Sequence, residues 1–306
     1  MVVLSSQNAS CKHCGERACK VVATLRNVCI VKCTKCNLTF VNKGKDIDCD
    51  KDYFSDYDLD KYVSYYQNFR ENSFRKHLKA IEKYTQKGSI LDVGCSFGWF
   101  LNTARDLGWQ PFGIEPAKEV ADIARKKYNM TILQGNIESI DAFGTNFQVV
   151  TLWNALEHMA EPQHVLRRLH DKLYPGGFLV IAVPNIEGLI SRIAFLAYKL
   201  SLGKVKFPLE QLYQVDNPCM HLFHYSANTL SSMLESCNFK VTQVIKQPII
   251  DSKNIKDRIN MDKGLEAKPQ FIKFCITTAT RSIFYISDIA NLHDTIVIYA
   301  KKEDKQ

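Results

Sequence analysis

From Ser89 onward, short apolar runs alternate with longer amphipathic ones. Ile90–Val93, Phe112–Ile114, Ile132–Leu133, Val149–Trp153 and Phe178–Val183 read as strands. Trp99–Leu107, Ala117–Tyr128 and Pro162–Leu173 read as the helices between them, the first ended by Gly108 and the last by Pro175-Gly176-Gly177. Strand, helix and strand repeated in this way predict a parallel sheet covered on both faces. Phe239–Ile250 and Thr295–Ala300 add two further strands, for seven in all. Between them lies a polar, lysine-rich stretch whose 251–281 portion is too irregular to assign.

Two other segments carry helical spacing. Phe69, Phe74, Leu78 and Ile81 recur along one face between Tyr62 and Tyr84, predicting one or two helices before a turn at Gln86–Ser89. Leu189, Ile190, Ile193, Leu196, Ala197 and Leu200 mark a second apolar face, with Arg192 and Lys199 opposite. The second helix is expected to pack on the core and form a lid with a solvated basic flank.

Cysteine placement sets the front of the chain apart: seven of eleven cysteines fall in the first 49 residues. Cys11-x2-Cys14 and Cys33-x2-Cys36 are separated by eighteen residues, a spacing that suits four thiolates on one zinc ion. Gly15 and Asn37 directly follow the two pairs and suit the left-handed turn that each knuckle needs. Four sulfurs leave no coordination position for water, so the ion is structural. Cys19 and Cys29 belong to no such pair, and His13 is expected to face solvent. The organisation predicted is a zinc ribbon over 1–48, a helical linker or lid over 49–86, and a sheet domain over 87–306 with insertions at about 187–220 and 251–290.

Composition narrows the class without supplying a chemistry. Hydrophobic residues are 46% and charged residues 24% of the 306, which excludes a disordered or collagen-like chain. No run approaches the ~18 apolar residues of a membrane span, and Met1–Ser10 lacks the basic and apolar regions of a signal peptide. A reducing, cytoplasmic compartment follows as the expectation. The formal charge is +8, but residues 1–45 carry +7 and residues 46–60 carry −6. A basic front section invites a nucleic-acid partner, yet charge alone is weak support and the acidic run adjoins it.

The feature that carries most chemistry is Leu91-Asp92-Val93-Gly94-Cys95-Ser96-Phe97-Gly98-Trp99. A buried strand ends, small residues turn the chain, and a helix starts, which brings backbone N–H groups to a ligand. The glycine spacing departs from the dinucleotide fingerprint, and no Gly-Lys-Ser or Gly-Lys-Thr follows, so NAD is disfavoured and a P-loop excluded. Glu115 ends the next strand twenty-one residues after Gly94, where an acid accepts from ribose hydroxyls. Asp92 is an unusual buried carboxylate unless a cationic ligand lies near it. Ser96, where glycine is more frequent, is expected to keep a negative φ.

LDVGCSFGWFL, GIEPA, FQVVTLWNALEHM and LYPGGFLVIAVPN together resemble the successive motifs of class I S-adenosylmethionine-dependent methyltransferases, over roughly Ser89–Asn185. CTKCNLTFVN and the Tyr-rich stretch with DYF resemble the zinc-ribbon-bearing branch, whose members act in sugar, polysaccharide or natural-product pathways. The resemblance implies a Rossmann-like, mostly parallel α/β sheet with helices on both faces. It also implies S-adenosyl-L-methionine as methyl donor. By position it puts the backbone around Gly94, Cys95, Ser96 and Gly98 against the methionine portion, with Asp92 beneath. Glu115, followed by Pro116, grips the ribose; Asn136 and Ile137 flank the adenine; Asn154 and Ala155 line the methionine side. The family usually has Asp where Asn136 stands.

Transfer to a hydroxyl or an acidic carbon needs a base. His158 falls at the carboxyl end of the fourth strand, and His221 and His224 precede the helix near Ser226, so these three are the candidates. Glu157 is expected to be structural, orienting a helix or its histidine neighbour. The acceptor expected is a small molecule, with a sugar or glycosylated metabolite foremost, for O- or C-methylation. The alternative is RNA or protein methylation with the basic ribbon holding the macromolecule.

Overall fold

The computed structural model describes residues 10–26, 28–42, 59–248, 255–256 and 269–303, with backbone alone for 59–69. The ribbon contributes β1 (Cys19–Leu25), β2 (Val28–Cys33) and β3 (Thr39–Asn42). A single helix, α1 (Leu59–Ile81), leads to the main sheet. There follow β4 (Ser89–Val93), α2 (Trp99–Asp106), β5 (Gln110–Glu115), α3 (Lys118–Tyr128) and β6 (Thr131–Gln134). After a short 3-10 helix, Ile137–Phe143, come β7 (Phe147–Trp153), α4 (Pro162–Lys172) and β8 (Leu173–Pro184). The remaining elements are α5 (Leu189–Leu200), α6 (Phe207–Tyr213), β9 (Phe223–His224), α7 (Ala227–Glu235), β10 (Phe239–Gln247), α8 (Gln270–Ala290) and β11 (Thr295–Lys302). Most of the acidic run at 46–60 lies outside the described residues.

The main sheet has the order β10-β11-β8-β7-β4-β5-β6, with β8 to β6 parallel and β11 antiparallel to both neighbours. All seven strands read from the sequence are present. Val149, Val150, Leu152, Leu179, Val180, Ile181, Ile296, Val297 and Ile298 are wholly buried. Helices cover both faces, so these strands are apolar on both sides instead of alternating. Each such side chain contributes about 1.5–3 kcal/mol on leaving water. Phe74, Leu78 and Ile81 of α1 enter the same core beside Phe100 and Trp153, as their spacing predicted. His77 ties α1 to the far strands, with Nδ1 and the Tyr299 hydroxyl 2.6 Å apart.

The ribbon is joined to the sheet domain by backbone. β3 pairs antiparallel with β9, matching Thr39 with His224 and Phe40 with Phe223, so the ribbon sheet runs β1-β2-β3-β9. Cys11, Cys33, Leu38 and Phe40 share one apolar core with the main sheet. His13 is no solvent-facing residue: its Nε2 lies 3.2 Å from the Ser232 hydroxyl, and its carbonyl accepts from Gln163 at 3.0 Å. Lys12 pairs with Glu161, and Arg26 with Asp216 and Glu210, so part of the ribbon's charge is met inside the chain.

Two segments depart from the sequence reading. In α5 the buried positions are Ser191 and Ala194, while Ile193, Leu196 and Leu200 are exposed, Leu200 by 75%. The small residue Ala194 packs near the ribbon, in one cluster with Ala23 and Leu25, and Tyr198 accepts from the Thr24 amide at 2.9 Å. Core packing of the long apolar face is thereby overturned. Within the 251–281 stretch read as irregular, α8 begins at Gln270, and it runs for 21 residues to Ala290. It buries Thr277, Phe284 and Ser287, so its inward face carries no apolar repeat to reveal a helix. Its Thr277 and Ser282 hydroxyls donate to carbonyls four residues back, which keeps them inside the helix.

The β3–β9 junction gives a direct stability prediction. Phe223 is buried against Phe40 and Tyr225. Phe223→Ala is expected to cost about 3–5 kcal/mol in urea unfolding and to open residues 10–42 to protease first. An unchanged denaturation midpoint and cleavage pattern overturn the junction's role.

Candidate functional site

β4 ends at Val93, and Gly94 turns the chain at φ +75. The Gly94 and Cys95 amides both donate to the Ile114 carbonyl, at 2.8 and 3.0 Å, which locks the bend to β5. A Cβ on Gly94 would meet the Ala155 Cβ at 3.0 Å, so the bend and the end of β7 touch. The Cys95 side chain is buried in the core, its sulfur 2.7 Å from where a Cβ on Gly113 would sit. Ser96 has φ +49, against the negative angle expected. A non-glycine residue there costs about 1–2 kcal/mol. The bond that holds it is visible: the Ser96 amide donates to Glu115 Oε2 at 2.8 Å.

Glu115 also takes the Ala117 amide on Oε1 at 3.0 Å, so one buried carboxylate clasps the bend and the turn through Pro116. Burial raises its pKa, and the two amides oppose that rise. Gly98, at φ +75, opens α2. Asp92 is buried, and its Oδ1 accepts from the Thr151 hydroxyl at 2.7 Å. Burial pushes Asp92 up to about 8; the Thr151 bond opposes this, Glu115 adds to it, and Arg70 on α1 lowers it. Thr151 and Arg70 were not singled out from sequence, because Thr151 sits inside an apolar strand and α1 was read only for its apolar face.

Asn136 is committed to the chain. Its Oδ1 accepts from the Glu138 amide at 3.0 Å and caps the 3-10 helix that begins at Ile137. Asn154 stands at φ +53 after β7, its amide donating to the Ala182 carbonyl at 2.8 Å. Asp92, Gly94, Ser96, Glu115 and Ala155 are thus drawn together at the carboxyl ends of β4, β5 and β7. A cavity of about 550 Å³ at the opposite end of the sheet is lined by Gly88, Ser89, Gln110 and Gln148, and by none of these residues.

A second group stands beside Ala155. The turn Leu156–His158 carries Glu157, which is fully buried with neither carboxylate oxygen hydrogen-bonded. The orienting of a helix or of its histidine neighbour, expected from sequence, therefore finds no side-chain hydrogen bond to carry it. The His158 Nδ1 donates to the Met220 carbonyl at 3.2 Å. The His158 and His221 rings lie 4.8 Å apart, and His224 lies 5.5 Å behind His221, stacked on Tyr213 at 4.0 Å. Burial lowers all three imidazoles, His224 to about 3, so they are neutral near pH 7. His158 and His221 are brought together; His224 is enclosed in β9.

In the ribbon, the Cys11, Cys14, Cys33 and Cys36 sulfurs all lie within 4.8 Å of one another. The Cys11–Cys36 and Cys14–Cys33 pairs are 3.5 Å apart. A tetrahedral ion with ~2.3 Å bonds to sulfur sets its ligands about 3.8 Å apart, so the four fit one metal. Gly15 and Asn37 adopt φ +71 and +63, as the knuckle reading required.

A family model described as a methyltransferase domain matches residues 66–244. The chain is 30% identical over 100 residues to the mitochondrial ubiquinone biosynthesis O-methyltransferase of Schizosaccharomyces pombe, covering 30% of this chain and 36% of that protein. It spans about a third to half the length of the curated relatives it matches. Among solved structures, the methyltransferase in complex with the Haloferax volcanii Trm112 activator superposes with TM-score 0.55 at 16% identity, covering 85% of this chain and 100% of that one. The 4+2 cyclase SpnF superposes with TM-score 0.50 at 16% identity, covering 76% and 82%. These two likenesses establish the fold alone. Among the described residues, no helix is long and apolar enough to cross a membrane.

Asp92 makes the ligand-free protein pH-sensitive in a definite direction. Its folded pKa of about 8 lies above the ordinary 3.8, so its contribution to stability is fully present below about 4 and is lost as pH rises toward 8. Asp92→Asn is expected to gain stability relative to the parent between pH 5 and 8, read as urea midpoints. Parallel midpoint curves for the two proteins refute the buried, protonated carboxyl.

Proposed function

Since the chain belongs to the methyltransferase-domain family, we propose that it transfers a methyl group from S-adenosylmethionine to a hydroxyl of a small molecule. The observation that carries the reading is the Glu115 carboxylate, pinned by two amides at the mouth of the glycine bend. When bound, the donor supplies a methyl group on a cationic sulfur. Glu115 takes the ribose hydroxyls on its remaining lone pairs. The amides around Gly94, Cys95, Ser96 and Gly98 face the methionine portion. Burial favours the protonated form of Asp92, and the cationic end of the donor favours its ionised form. Asn136 offers its amide N–H₂ to the adenine edge, since its oxygen is spent on the cap, and Ile137 packs against the ring. Asn154 and Ala155 close the methionine side.

The acceptor side falls to the histidines. His158 and His221 activate the hydroxyl, and His224 supports His221 from within β9. The protein's task is alignment and exclusion of water, since displacement at a sulfonium needs an in-line nucleophile. Relatives named as ubiquinone biosynthesis O-methyltransferases support oxygen as the methylated atom. The sugar or glycosylated acceptor expected from the ribbon-bearing branch is a member of the same hydroxyl class. The four ribbon sulfurs hold a structural zinc, and the reading of the protein as cytoplasmic stands beside that thiolate site.

Two measurements test this reading. Calorimetry should show S-adenosylhomocysteine binding that Glu115→Ala weakens by about 2 kcal/mol, roughly thirtyfold, the value of a charged hydrogen-bonding partner. Equal affinity in the variant removes Glu115 from the nucleoside. Elemental analysis should find one zinc per chain, lost in Cys33→Ser together with the ordered β3–β9 junction. A folded, metal-free parent protein refutes the zinc.

A further inference from the structure

The Glu157 carboxylate is fully buried, and neither oxygen has a well-formed hydrogen bond to another residue, its own backbone amide being the nearest donor. A bare carboxylate in that position costs several kcal/mol unless a cation or donor meets it. No salt bridge to it is seen among the described residues; its own amide and the field of Arg70 oppose the effect of burial. The Tyr225 hydroxyl lies in its field, and two imidazoles stand beside it. One ligand atom from each of Glu157, His158 and His221 lies within 4.8 Å of the others. The His221 Nδ1 is likewise buried without a partner.

We propose that Glu157, His158 and His221 form a second metal centre, distinct from the ribbon, that binds a divalent transition-metal cation. Two imidazoles and one carboxylate on one side of an ion leave open positions on the other, the mark of a site that also takes substrate. The present spacing closes on an ion with bonds of ~2.1 Å by side-chain movements of about an ångström. The surroundings suit ligation. His158 gives its Nδ1–H to the Met220 carbonyl and also meets the Cys219 backbone, which orients the ring. The two ligands of the turn are held to the third by backbone, because the Leu222 amide donates to the Glu157 carbonyl at 2.7 Å. His158 is half-buried while its two partners are enclosed, so the open positions face outward past His158.

The site follows directly from Ala155, which touches Gly94. A cation there would bind the acceptor through oxygen and lower its hydroxyl pKa, which is the activation assigned above to the histidines. That role rests on the methyltransferase reading; the binding of the cation does not.

Mn²⁺ alone is the probe, because it is paramagnetic and suits a carboxylate ligand, whereas the ribbon thiolates select zinc. Electron paramagnetic resonance titration of the zinc-loaded full chain should show one bound Mn²⁺. Glu157→Gln should weaken it at least tenfold with the thermal midpoint preserved or raised, and His221→Gln should do the same should the first variant fail to fold. A parent chain that leaves Mn²⁺ free, or variants that bind as the parent does, overturns the site. S-adenosylhomocysteine calorimetry on the same samples separates the two readings. Nucleoside binding without Mn²⁺ sinks the metal centre and spares the methyltransferase; Glu157-dependent Mn²⁺ binding without nucleoside binding supports the centre and sinks the donor assignment.

Discussion

The Leu222 peptide group donates its N–H to the Glu157 carbonyl at 2.7 Å, and its own carbonyl accepts from the Val41 amide at 2.8 Å. Two residues of β9 follow, with His224 matched to Thr39 of the ribbon. Each such bond contributes about 0.5–1.5 kcal/mol net, but a buried amide left without one costs more. The ribbon and the histidine segment are therefore parts of one hydrogen-bonded sheet. The four cysteines gather the two turns, the Cys33–Cys36 turn feeds β3, and β3 sets the height of His221 and His224 beside the end of β7. The four-cysteine cluster in the front of the chain thus helps to position side chains more than 180 residues downstream.

The electrostatics of the site follow from the same enclosure. Asp92, Glu115 and Glu157 are three buried carboxyls, and burial raises all of them. Arg70 opposes the shift at Asp92 and Glu157, yet leaves both well above the ordinary range. A region of this kind favours cations, since each positive charge that enters lets a carboxyl ionise. A sulfonium with an attached ammonium meets that requirement from one side.

Much of this was legible in the residues. Strands buried on both faces are apolar throughout, so β4, β7, β8 and β11 announced themselves as continuous runs. The paired cysteines and the Gly94–Gly98 bend carry spacings that few other structures demand. What escaped was set by tertiary contact. Arg70 faces Asp92 and Glu157 only once α1 crosses the end of the sheet. β9 is two residues long and exists because β3 lies beside it. The left-handed Ser96 depends on a carboxylate nineteen residues on, and α5 turned its small residues inward because the ribbon approaches closely. Glu157 read as structural from sequence, since nothing along the chain says that its oxygens lack a donor.

The strand order also bears on how the chain is made. β11 follows every other described strand, yet it lies between β8 and β10 and buries Ile296 through Ala300 completely. About 110 residues separate the end of β8 from its neighbour in the sheet. At ~5–20 residues per second, a ribosome needs roughly 6–22 s to cover that distance. Throughout that interval the apolar edge of β8 stands open, and once β10 has been made it waits a further ~47 residues for its partner β11. Synthesis of this protein therefore includes a waiting period in which the sheet is half built, closed only when the last described strand slots between two earlier ones.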